Sequence, residues 1–278
     1  MSYKTIVVHL DCSKRRSERL DLAVALAQEF DAALVGHFAI DVMQTAMVPE
    51  DAPELYVAER RRREKCAEDA AYEFDSKTTE RKLKAEWRST ASDAAGAVCS
   101  SARYADLVIV GQTDPATWEA DGVPRGFTGE VVLDAGKPVL IVPYLGHFAQ
   151  VGRKPMVAWN AAREAALAVF ESLPVLQRAD SVDVVSFERR HSEERQPDEF
   201  EREAMSRYLG RHGVKASIKK DFAPDVNVGD LILSRAADAG ADAIVMGAYG
   251  HSRLRERVLG GATKTVLESM TVPVMMSH

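Results

Sequence analysis

The chain has 278 residues, of which 46% are hydrophobic, and a formal net charge of -6 at pH 7. This length favours two domains, because compact domains cluster near roughly 100 to 150 residues. The acidic balance excludes a globally basic surface for nucleic acid, and no apolar run is long enough to span a membrane. The chain opens on a strand without a secretory signal, so we expect a cytoplasmic protein with neither nucleic-acid nor membrane partners.

In chain order, the first half alternates apolar runs with amphipathic stretches. A strand over residues 6–10 ends on Asp11. Four arginines at residues 60–63 lie among acidic residues at helical spacing, which indicates a solvated helix face. Further strands are predicted at residues 83–87, 105–111 and 137–142.

The second half repeats this order. Residues 241–247 match residues 105–111, since each segment is an Ala-Asp pair followed by an apolar strand that ends on glycine. The other matched strands are 155–160 with 6–11, and 272–276 with 137–142. The first copy is longer by 13 residues, which places an insertion near residues 43–56.

Five strands and four helices are predicted in the second half. The helices are at residues 163–173, 198–212, 230–239 and 263–270. The strands are at residues 155–160, 182–187, 214–218, 243–247 and 272–276. Gly213 is expected to end the second helix in a left-handed conformation. The alternation indicates parallel βαβ units, so we expect an α/β fold in which residues 144–154 link domains at 1–145 and 153–278.

The cysteine and histidine residues do not indicate a disulfide, metal or catalytic site. Cys12, Cys66 and Cys99 are scattered and odd in number, which argues against a disulfide framework and a CxxC metal pair, so we expect reduced thiols. The seven histidines lack metal-ligand spacing, and there is no GxSxG nucleophile motif. No metal ligand and no catalytic residue is therefore assigned.

A glycine-rich loop follows the strand at residues 243–247. Gly247 and Gly250 open the loop, and Gly260 with Gly261 starts the next helix. Glycines let the backbone approach an anion, and a helix start adds free N–H groups and a positive dipole end. Glycine spacing alone supports ordinary turns equally well. P-loop and dinucleotide-binding patterns are absent.

The pattern Gly247-x2-Gly250-x9-Gly260, followed by a helix and Val-Pro-Val at residues 272–274, resembles the ATP-binding signature of the universal stress protein family. The whole chain resembles the tandem members of that family. The resemblance implies two tandem open five-stranded parallel-sheet domains of the adenine nucleotide alpha hydrolase-like type. It also implies an adenine nucleotide in the second domain, with ATP favoured, either alone or with Mg2+.

The resemblance assigns site residues in the second domain. The cofactor-binding residues that it implies are Ala158, Trp159, Asn160, Phe187, Met246, Gly247, Gly250, Gly260, Gly261, Ala262 and Thr263. Residues 158–160 and Phe187 would meet adenine, and the loop would surround ribose and phosphates. Two positions depart from the family pattern: Asn160 replaces an aspartate, and Gly261 replaces a frequent hydroxyl side chain. Because an amide has no charge, we expect Asn160 to lessen the repulsion of a polyphosphate.

The first copy keeps Asp11 but loses the loop glycines. Pro115 stands in place of Gly250, and Arg125 in place of Gly260. The same segment carries the acidic residues Asp114, Glu119 and Asp121. Because these carboxylates repel phosphate, we expect no nucleotide in the first domain. The Gly-Phe-Thr-Gly sequence at residues 126–129 is more typical of a turn than of a small-ligand site.

The family resemblance implies a cytoplasmic stress-response protein that acts as a regulatory or signalling module, with at most weak ATPase activity. Two alternatives stay open. One is a slow nucleotide hydrolase or transferase, for which Asp230, Asp242 or His251 would have to reach the phosphates. The other is a nucleotide-free interaction scaffold. The duplication favours pairing of the two domains within one chain and also allows a homodimer.

Overall fold

The computed structural model describes residues 2–40, 53–188, 198–222, 227–250 and 261–278. The chain divides into two compact units, Ser2–Lys137 and Pro138–His278, called here the N-terminal and C-terminal units. The last strand of the first sequence repeat, Val139–Val142, therefore belongs to the C-terminal unit. The boundaries 1–145 and 153–278 follow the sequence repeat and stay a prediction.

The N-terminal unit is a parallel α/β structure. Its elements are β1 (Thr5–Leu10), α1 (Arg16–Phe30), β2 (Ala33–Ala39), α2 (Pro53–Glu80), β3 (Ala85–Thr90), α3 (Ala94–Ala102), β4 (Leu107–Gly111), α4 (Trp118–Asp121) and α5 (Phe127–Asp134). The strand order is β3-β2-β1-β4, and every pair is parallel. All residues of β4 are buried, so both faces of this strand are covered. β3 is partly exposed and forms an edge.

The C-terminal unit repeats this arrangement. Its elements are β5 (Val139–Val142), β6 (Pro155–Ala158), α6 (Arg163–Leu176), β7 (Val182–Glu188), α7 (Glu199–Arg211), β8 (Ala216–Phe222), α8 (Val228–Ala239), β9 (Ala243–Gly247), α9 (Gly261–Ser269) and β10 (Val274–Ser277). The strand order is β5-β10-β9-β6-β7-β8. β10, β9, β6, β7 and β8 are parallel to one another, which confirms the α/β fold class. β5 differs, because it pairs antiparallel with β10, with Ile141 opposite Val274.

An aspartate of the repeat fixes the amino ends of the central strands in both units. Asp106, just before β4, accepts hydrogen bonds from the two backbone N–H groups around the start of β1, at 2.7 and 2.9 Å. Asp242, just before β9, accepts hydrogen bonds from two backbone N–H groups before β6, at 2.7 and 3.0 Å. The Ala-Asp pairs found in the sequence therefore have the same structural role in both halves.

Helix ends follow local side-chain chemistry. Asp198 caps α7 in a capping box with Glu201, and each side chain accepts a hydrogen bond from the other residue's backbone N–H, at 2.8 and 3.2 Å. Gly213 has φ +75°, so the predicted left-handed residue after this helix is confirmed. Strand β8 begins at residue 216, two residues later than predicted.

Within the described ranges, no helix combines the length and apolarity that a membrane span requires.

The strand order reverses beside one central strand in each unit. From β1 the chain runs outward through β2 and β3 and returns on the other side at β4. From β6 it runs through β7 and β8 and returns at β9. The loops that leave the carboxyl ends of the two central strands part at such a reversal, which leaves a crevice where ligands of α/β proteins bind. Each unit therefore has one such crevice at the carboxyl ends of its central strands.

Candidate functional site

The carboxyl ends of the three central strands of the C-terminal unit form one row. Ala158 of β6 stands opposite Met246 of β9 on one side and opposite Val185 of β7 on the other. All three side chains are buried. Phe187 lies two residues beyond Val185 on β7 and is half-buried. The structure thus brings the predicted site residues Ala158, Met246 and Phe187 to the same edge of the sheet.

Gly247 is required by close packing. A Cβ atom on this residue would lie 2.5 Å from the backbone nitrogen of Ala165 and 2.6 Å from the backbone carbon of Glu164. Both atoms belong to the first turn of α6, so only glycine lets the end of β9 pass the start of this helix. The glycine pattern predicts that Gly247 lets the backbone approach a phosphate, whereas the structure shows that close packing against α6 requires a glycine here.

The other described loop glycines have more room. A Cβ atom on Gly250 would lie 3.5 Å from the nearest atom, Oε2 of Glu164. A Cβ atom on Gly261 would meet nothing within 4 Å, and Gly261 is exposed at the start of α9. No packing constraint therefore explains the glycine at 261. The remaining predicted glycine, Gly260, lies outside the described residues, as does His251.

Thr263 ties the start of α9 to the end of β9. Its side chain is 4% exposed, and its Oγ1 accepts a hydrogen bond from the backbone N–H of Tyr249 at 3.2 Å. Tyr249 has φ +59°, a left-handed conformation that is uncommon for a residue with a Cβ atom. The hydroxyl of Thr263 is thus engaged in holding the loop, and Ala262 occupies the half-buried position before it.

His278 supports the same loop from the end of β10. Its Nδ1 donates a hydrogen bond to the carbonyl oxygen of Ala248 at 3.1 Å, and its ring contacts that of Tyr249 edge-on with centroids 5.8 Å apart. Burial raises the pKa of Tyr249 to about 12, so its hydroxyl stays protonated at neutral pH. Sequence reasoning missed Tyr249 and His278, because their contacts join the ends of two strands, β9 and β10, and the start of helix α9.

Asn160 holds the turn that leads from β6 into α6. Its Oδ1 accepts a hydrogen bond from the backbone N–H of Ala162 at 3.1 Å, and Ala161 between them has φ +58°. Asp11 makes the same bond in the N-terminal unit, to the N–H of Ser13 at 3.0 Å. An amide oxygen therefore serves this turn as well as a carboxylate does.

Trp159 carries a buried polar atom. Its side chain is 8% exposed, and its backbone N–H donates to the carbonyl oxygen of Val185 at 2.9 Å. The indole Nε1 is buried and has no hydrogen-bond partner among the described residues. A buried donor without an acceptor costs about 1–3 kcal/mol, so an acceptor supplied from outside the chain would be favourable here.

The start of α9 is positioned by α8. A Cβ atom on Gly229 would lie 2.6 Å from Cβ of Thr265 and 2.9 Å from the carbonyl oxygen of Ala262, so this glycine permits the close approach of the two helices. Asn227 caps α8 through the N–H of Gly229 and also donates from Nδ2 to Oγ1 of Thr265 at 3.0 Å. These residues, also missed from the sequence, fix the helix start that would face a phosphate.

Two acidic residues proposed as alternatives for catalysis lie elsewhere. Asp242 is at the amino end of β9 and bonds backbone N–H groups, so it is at the opposite edge of the sheet from Gly247. Asp230 is exposed in the first turn of α8. Across the described ranges, no group of three or more His, Cys, Asp or Glu side chains is arranged to hold a metal ion.

The equivalent crevice in the N-terminal unit contains a buried ion pair. Arg19 of α1 places Nη2 2.8 Å from Oδ1 of Asp11, and its Nε donates to the carbonyl oxygen of His9 at 2.8 Å. Its guanidinium group also fills the space where a side chain on Gly111 would lie. Both partners of the ion pair are buried. A cationic side chain of the protein thus occupies the crevice at the end of β4.

The electrostatics of this cluster depend on burial. Burial raises the pKa of Asp11, but Arg19 and then His9 outweigh it, and the pKa of the carboxyl group is lowered below its usual value. Burial also lowers the pKa of His9 to about 3, with Arg19 adding to the effect and Asp11 opposing it. At neutral pH the cluster is therefore an aspartate–arginine pair beside a neutral histidine.

A loop closes over this cluster. The backbone N–H of Cys12 donates to the carbonyl oxygen of Asp121 in α4 at 3.0 Å, and Arg62 of α2 donates to that of Ala120 at 2.8 Å. Burial and the charge of Asp11 raise the pKa of Asp121, against the effect of its hydrogen bond from Thr117. The segment at residues 112–125, which lacks the glycines of the second copy, thus packs on the end of β1.

Comparisons with known proteins agree with this fold. Residues 156–278 match the model of the universal stress protein family. Among solved structures, a universal stress protein from Archaeoglobus fulgidus is 16% identical with a TM-score of 0.76, over 98% of this chain and 95% of that chain. A putative universal stress protein from Pseudomonas aeruginosa is 13% identical with a TM-score of 0.60, over 99% and 93%.

A third solved structure, a universal stress protein in complex with cAMP, is 21% identical with a TM-score of 0.35, over 51% of this chain and 98% of that chain. Among curated proteins, none matches this chain. The match of residues 156–278, together with a fold shared over the full length, confirms the resemblance that the glycine pattern predicted. The second repeat, residues 156–278, carries the sequence pattern of the universal stress protein family.

Proposed function

We propose that the C-terminal unit binds an adenine nucleotide, ATP foremost, beyond the carboxyl ends of β6 and β9. The observation that carries this proposal is the hydrogen bond from the N–H of Tyr249 to Thr263, because it holds the first turn of α9 beside the end of β9. Free N–H groups and the positive dipole end of a helix favour phosphate at such a place. The family match of residues 156–278 supports the same assignment.

The adenine base fits the other half of the crevice. The row formed by Val185, Ala158 and Met246 offers an apolar floor at the strand ends, with Phe187 beyond it. The unpartnered Nε1 of Trp159 supplies a donor for a ring nitrogen or an oxygen of the ligand. An apolar surface with few polar groups is typical of small-molecule sites. Phosphates at Gly250 and Gly261 would then place the nucleotide along this edge, either alone or with Mg2+.

We propose one nucleotide per chain. In the N-terminal unit, the guanidinium of Arg19 and the loop over Cys12 occupy the corresponding crevice. Asp11 is already neutralised by Arg19, so it is not available to a ligand. The first repeat then serves as a structural partner, and the second repeat carries the ligand.

Nucleotide binding in this proposal serves regulation of a stress response in the cytoplasm rather than turnover. Of the acidic residues considered for hydrolysis, Asp242 bonds the backbone at the opposite edge of the sheet, and Asp230 is exposed on α8. At most a weak ATPase activity follows. The bound nucleotide would act by fixing the loop that Tyr249 and Thr263 already anchor.

A matched pair of substitutions tests the site. Gly261 and Gly126 occupy equivalent positions at the start of the last helix of each repeat, and a Cβ atom on either would meet nothing within 4 Å. We expect Gly261→Val to weaken ATP binding at least about tenfold in calorimetry, whereas Gly126→Val leaves the affinity unchanged. Equal effects of the two substitutions, or ATP binding at two sites per chain, would contradict the proposal.

The same titration separates the alternatives. Absence of any nucleotide binding to the native chain, together with no nucleotide in native mass spectra, would indicate an interaction scaffold. A steady-state ATP turnover that Gly261→Val abolishes would indicate a hydrolase or transferase. Binding of ATP without loop-dependent turnover is the expected result.

A further inference from the structure

Two cysteines from distant parts of the sequence meet at the end of β1. Cys12 follows Asp11 directly, and Cys66 lies on α2, where its Sγ is 3.8 Å from the carbonyl oxygen of Asp11. That carbonyl belongs to the peptide bond that joins Asp11 to Cys12. Cys66 therefore packs against the backbone of Cys12, each thiol shifts the pKa of the other, and both residues are half-buried. The structure thus brings two half-buried cysteines together at the end of β1.

A guanidinium group is fixed beside one of these thiols. Nη1 of Arg16 donates to Sγ of Cys66 at 3.4 Å and to the carbonyl oxygen of Asp11 at 3.2 Å. Its Nε donates to Glu73 on α2 at 3.2 Å, which keeps the side chain in place. A positive charge at this distance favours the thiolate form of a cysteine, which is the nucleophile in thiol chemistry.

The two thiols have different acidities. The hydrogen bond from Cys12, and then the charge of Arg16, lower the pKa of Cys66 against burial and the charge of Asp11. The same hydrogen bond, and then burial, raise the pKa of Cys12, with the charge of Arg62 opposing them. One member of the pair is thus suited to attack and the other to act as a proton-bearing second thiol.

Cys99 provides an internal contrast. It is buried on α3, and burial, together with the charges of Asp134 and Glu130, raises its pKa to about 11. No guanidinium hydrogen bond to its sulfur is found in the described part of the chain. Cys99 therefore differs from Cys66, which lies beside Arg16 and the backbone of Cys12.

We propose that Cys66 and Cys12 form a peroxide-reactive dithiol in the N-terminal unit, in which Cys66 attacks the peroxide and Cys12 completes a disulfide. The Cys66 thiolate attacks one oxygen of hydrogen peroxide, the O–O bond breaks, and a sulfenic acid forms as hydroxide leaves. The Cys12 sulfur then attacks the Cys66 sulfur, the S–O bond breaks, and the departing hydroxide leaves as water with the Cys12 proton. Two thiols lose two electrons and one peroxide becomes two waters, since the first hydroxide recovers the proton that Cys66 had released.

The disulfide between Cys12 and Cys66 would join the end of β1 to α2. It lies next to Asp11, whose carboxylate is paired with Arg19 in the crevice of the N-terminal unit. The disulfide would replace the hydrogen bond between the thiols with a covalent link that closes a loop from residue 12 to residue 66. The scattered cysteine spacing predicted reduced thiols, and the structure has free thiols. The proposal adds an oxidised state that the spacing does not suggest.

Peptide mapping of the full-length protein tests the pair. Trypsin places Cys12 in residues 5–14, Cys66 in residues 66–77 and Cys99 in residues 89–103. After treatment with hydrogen peroxide under non-reducing conditions, we expect the first two peptides to be linked and the third to stay free. Cys66 should react at least about tenfold faster than Cys99, because the thiolate is the reactive form.

Three variants separate the roles. Cys12→Ser should trap the oxidised Cys66 as a dimedone adduct or as the sulfinic acid, and Cys66→Ser should prevent both the link and the adduct. Cys99→Ser, the control, should form the link as the wild type does. Equal reaction rates of all three cysteines, a link that includes Cys99, or a link only between two chains would overturn the proposal.

Discussion

Arg19 and Asp11 form a buried ion pair with Nη2 and Oδ1 2.8 Å apart. The repeat relates Asp11 to Asn160 by an offset of 149 residues, and the same offset relates Arg19 to Ala168. Ala168 is fully buried in α6 and has neither charge nor length to enter the crevice. Replacement of the pair by an amide and a methyl group thus removes the protein's own cation from the place where we propose a nucleotide.

Removal of the arginine alone should destabilise the N-terminal unit. Arg19→Met leaves Asp11 buried without its partner, and breaking a buried pair in this way costs about 3–5 kcal/mol. Hydrogen exchange of the β1 amides should report the loss. The double variant Arg19→Met with Asp11→Asn should recover most of it, because no uncompensated charge remains. A single variant as stable as the wild type would show that the pair contributes little.

The buried histidines predict a loss of stability in acid. Burial lowers the pKa of His9 to about 3 and that of His37 to about 4, from an ordinary histidine value of 6.5. Between these pKa values the unfolded state therefore binds more protons than the folded state. The stability that the two neutral histidines contribute is then fully present above pH 6.5 and is lost as the pH is lowered. Each histidine should remove up to about 2 kcal/mol between pH 7 and pH 5.

Urea unfolding at several pH values, followed by hydrogen exchange of the N-terminal unit, measures this slope. His9→Phe should reduce the slope and leave the part due to His37. The lowered pKa of Asp11 adds a further loss below pH 3.8, because the unfolded state then binds this proton more readily than the folded state. A slope that His9→Phe leaves unchanged would contradict the buried neutral state of His9.

A methyl group should be tolerated at one loop glycine and not at another. Gly247→Ala places Cβ 2.5 Å from the backbone of α6, and overpacking of this kind costs about 1–3 kcal/mol. Gly261→Ala meets nothing within 4 Å, so it should be neutral or slightly stabilising in a helix. Thermal unfolding of the two variants compares the positions directly. Equal melting temperatures would exclude the packing role of Gly247.

The charge at position 160 should affect phosphate more than the base. Asn160→Asp preserves the turn, since Asp11 makes the same hydrogen bond, so the melting temperature should not change. A carboxylate in the crevice should weaken ATP binding by about threefold to tenfold at low salt, because like charges repel, and should leave adenosine binding unchanged. Calorimetry with both ligands checks this. Equal effects on both ligands would show that the side chain acts on the base.

The regular parts of the fold could be predicted from short stretches of sequence. The apolar strand that ends at Gly247, the turn at Gly213 and the repeated aspartates Asp106 and Asp242 each have a local or periodic signal. The site depends on contacts that have no such signal. The hydrogen bond from His278 to Ala248 links residues 30 positions apart, and Cys66 contacts the carbonyl oxygen of Asp11 from 55 positions away.

Gly247 also shows that a match to a ligand-binding pattern does not by itself explain why a residue is required. Gly247 fits the phosphate-binding pattern, and its neighbours in space are the backbone atoms of Glu164 and Ala165. A glycine can be required by packing at a position that a family pattern explains by a ligand. Gly261, which nothing crowds, is the better place to test for a bound phosphate.

The antiparallel pairing of β5 with β10 has a practical consequence for dissecting the molecule. A fragment that begins at residue 153, where the sequence repeat begins, would lack β5 and leave the apolar strand β10 as an open edge. Such an edge promotes aggregation. A fragment that begins at Pro138 keeps the pairing of Ile141 with Val274 and is the one to express for study of the nucleotide site alone.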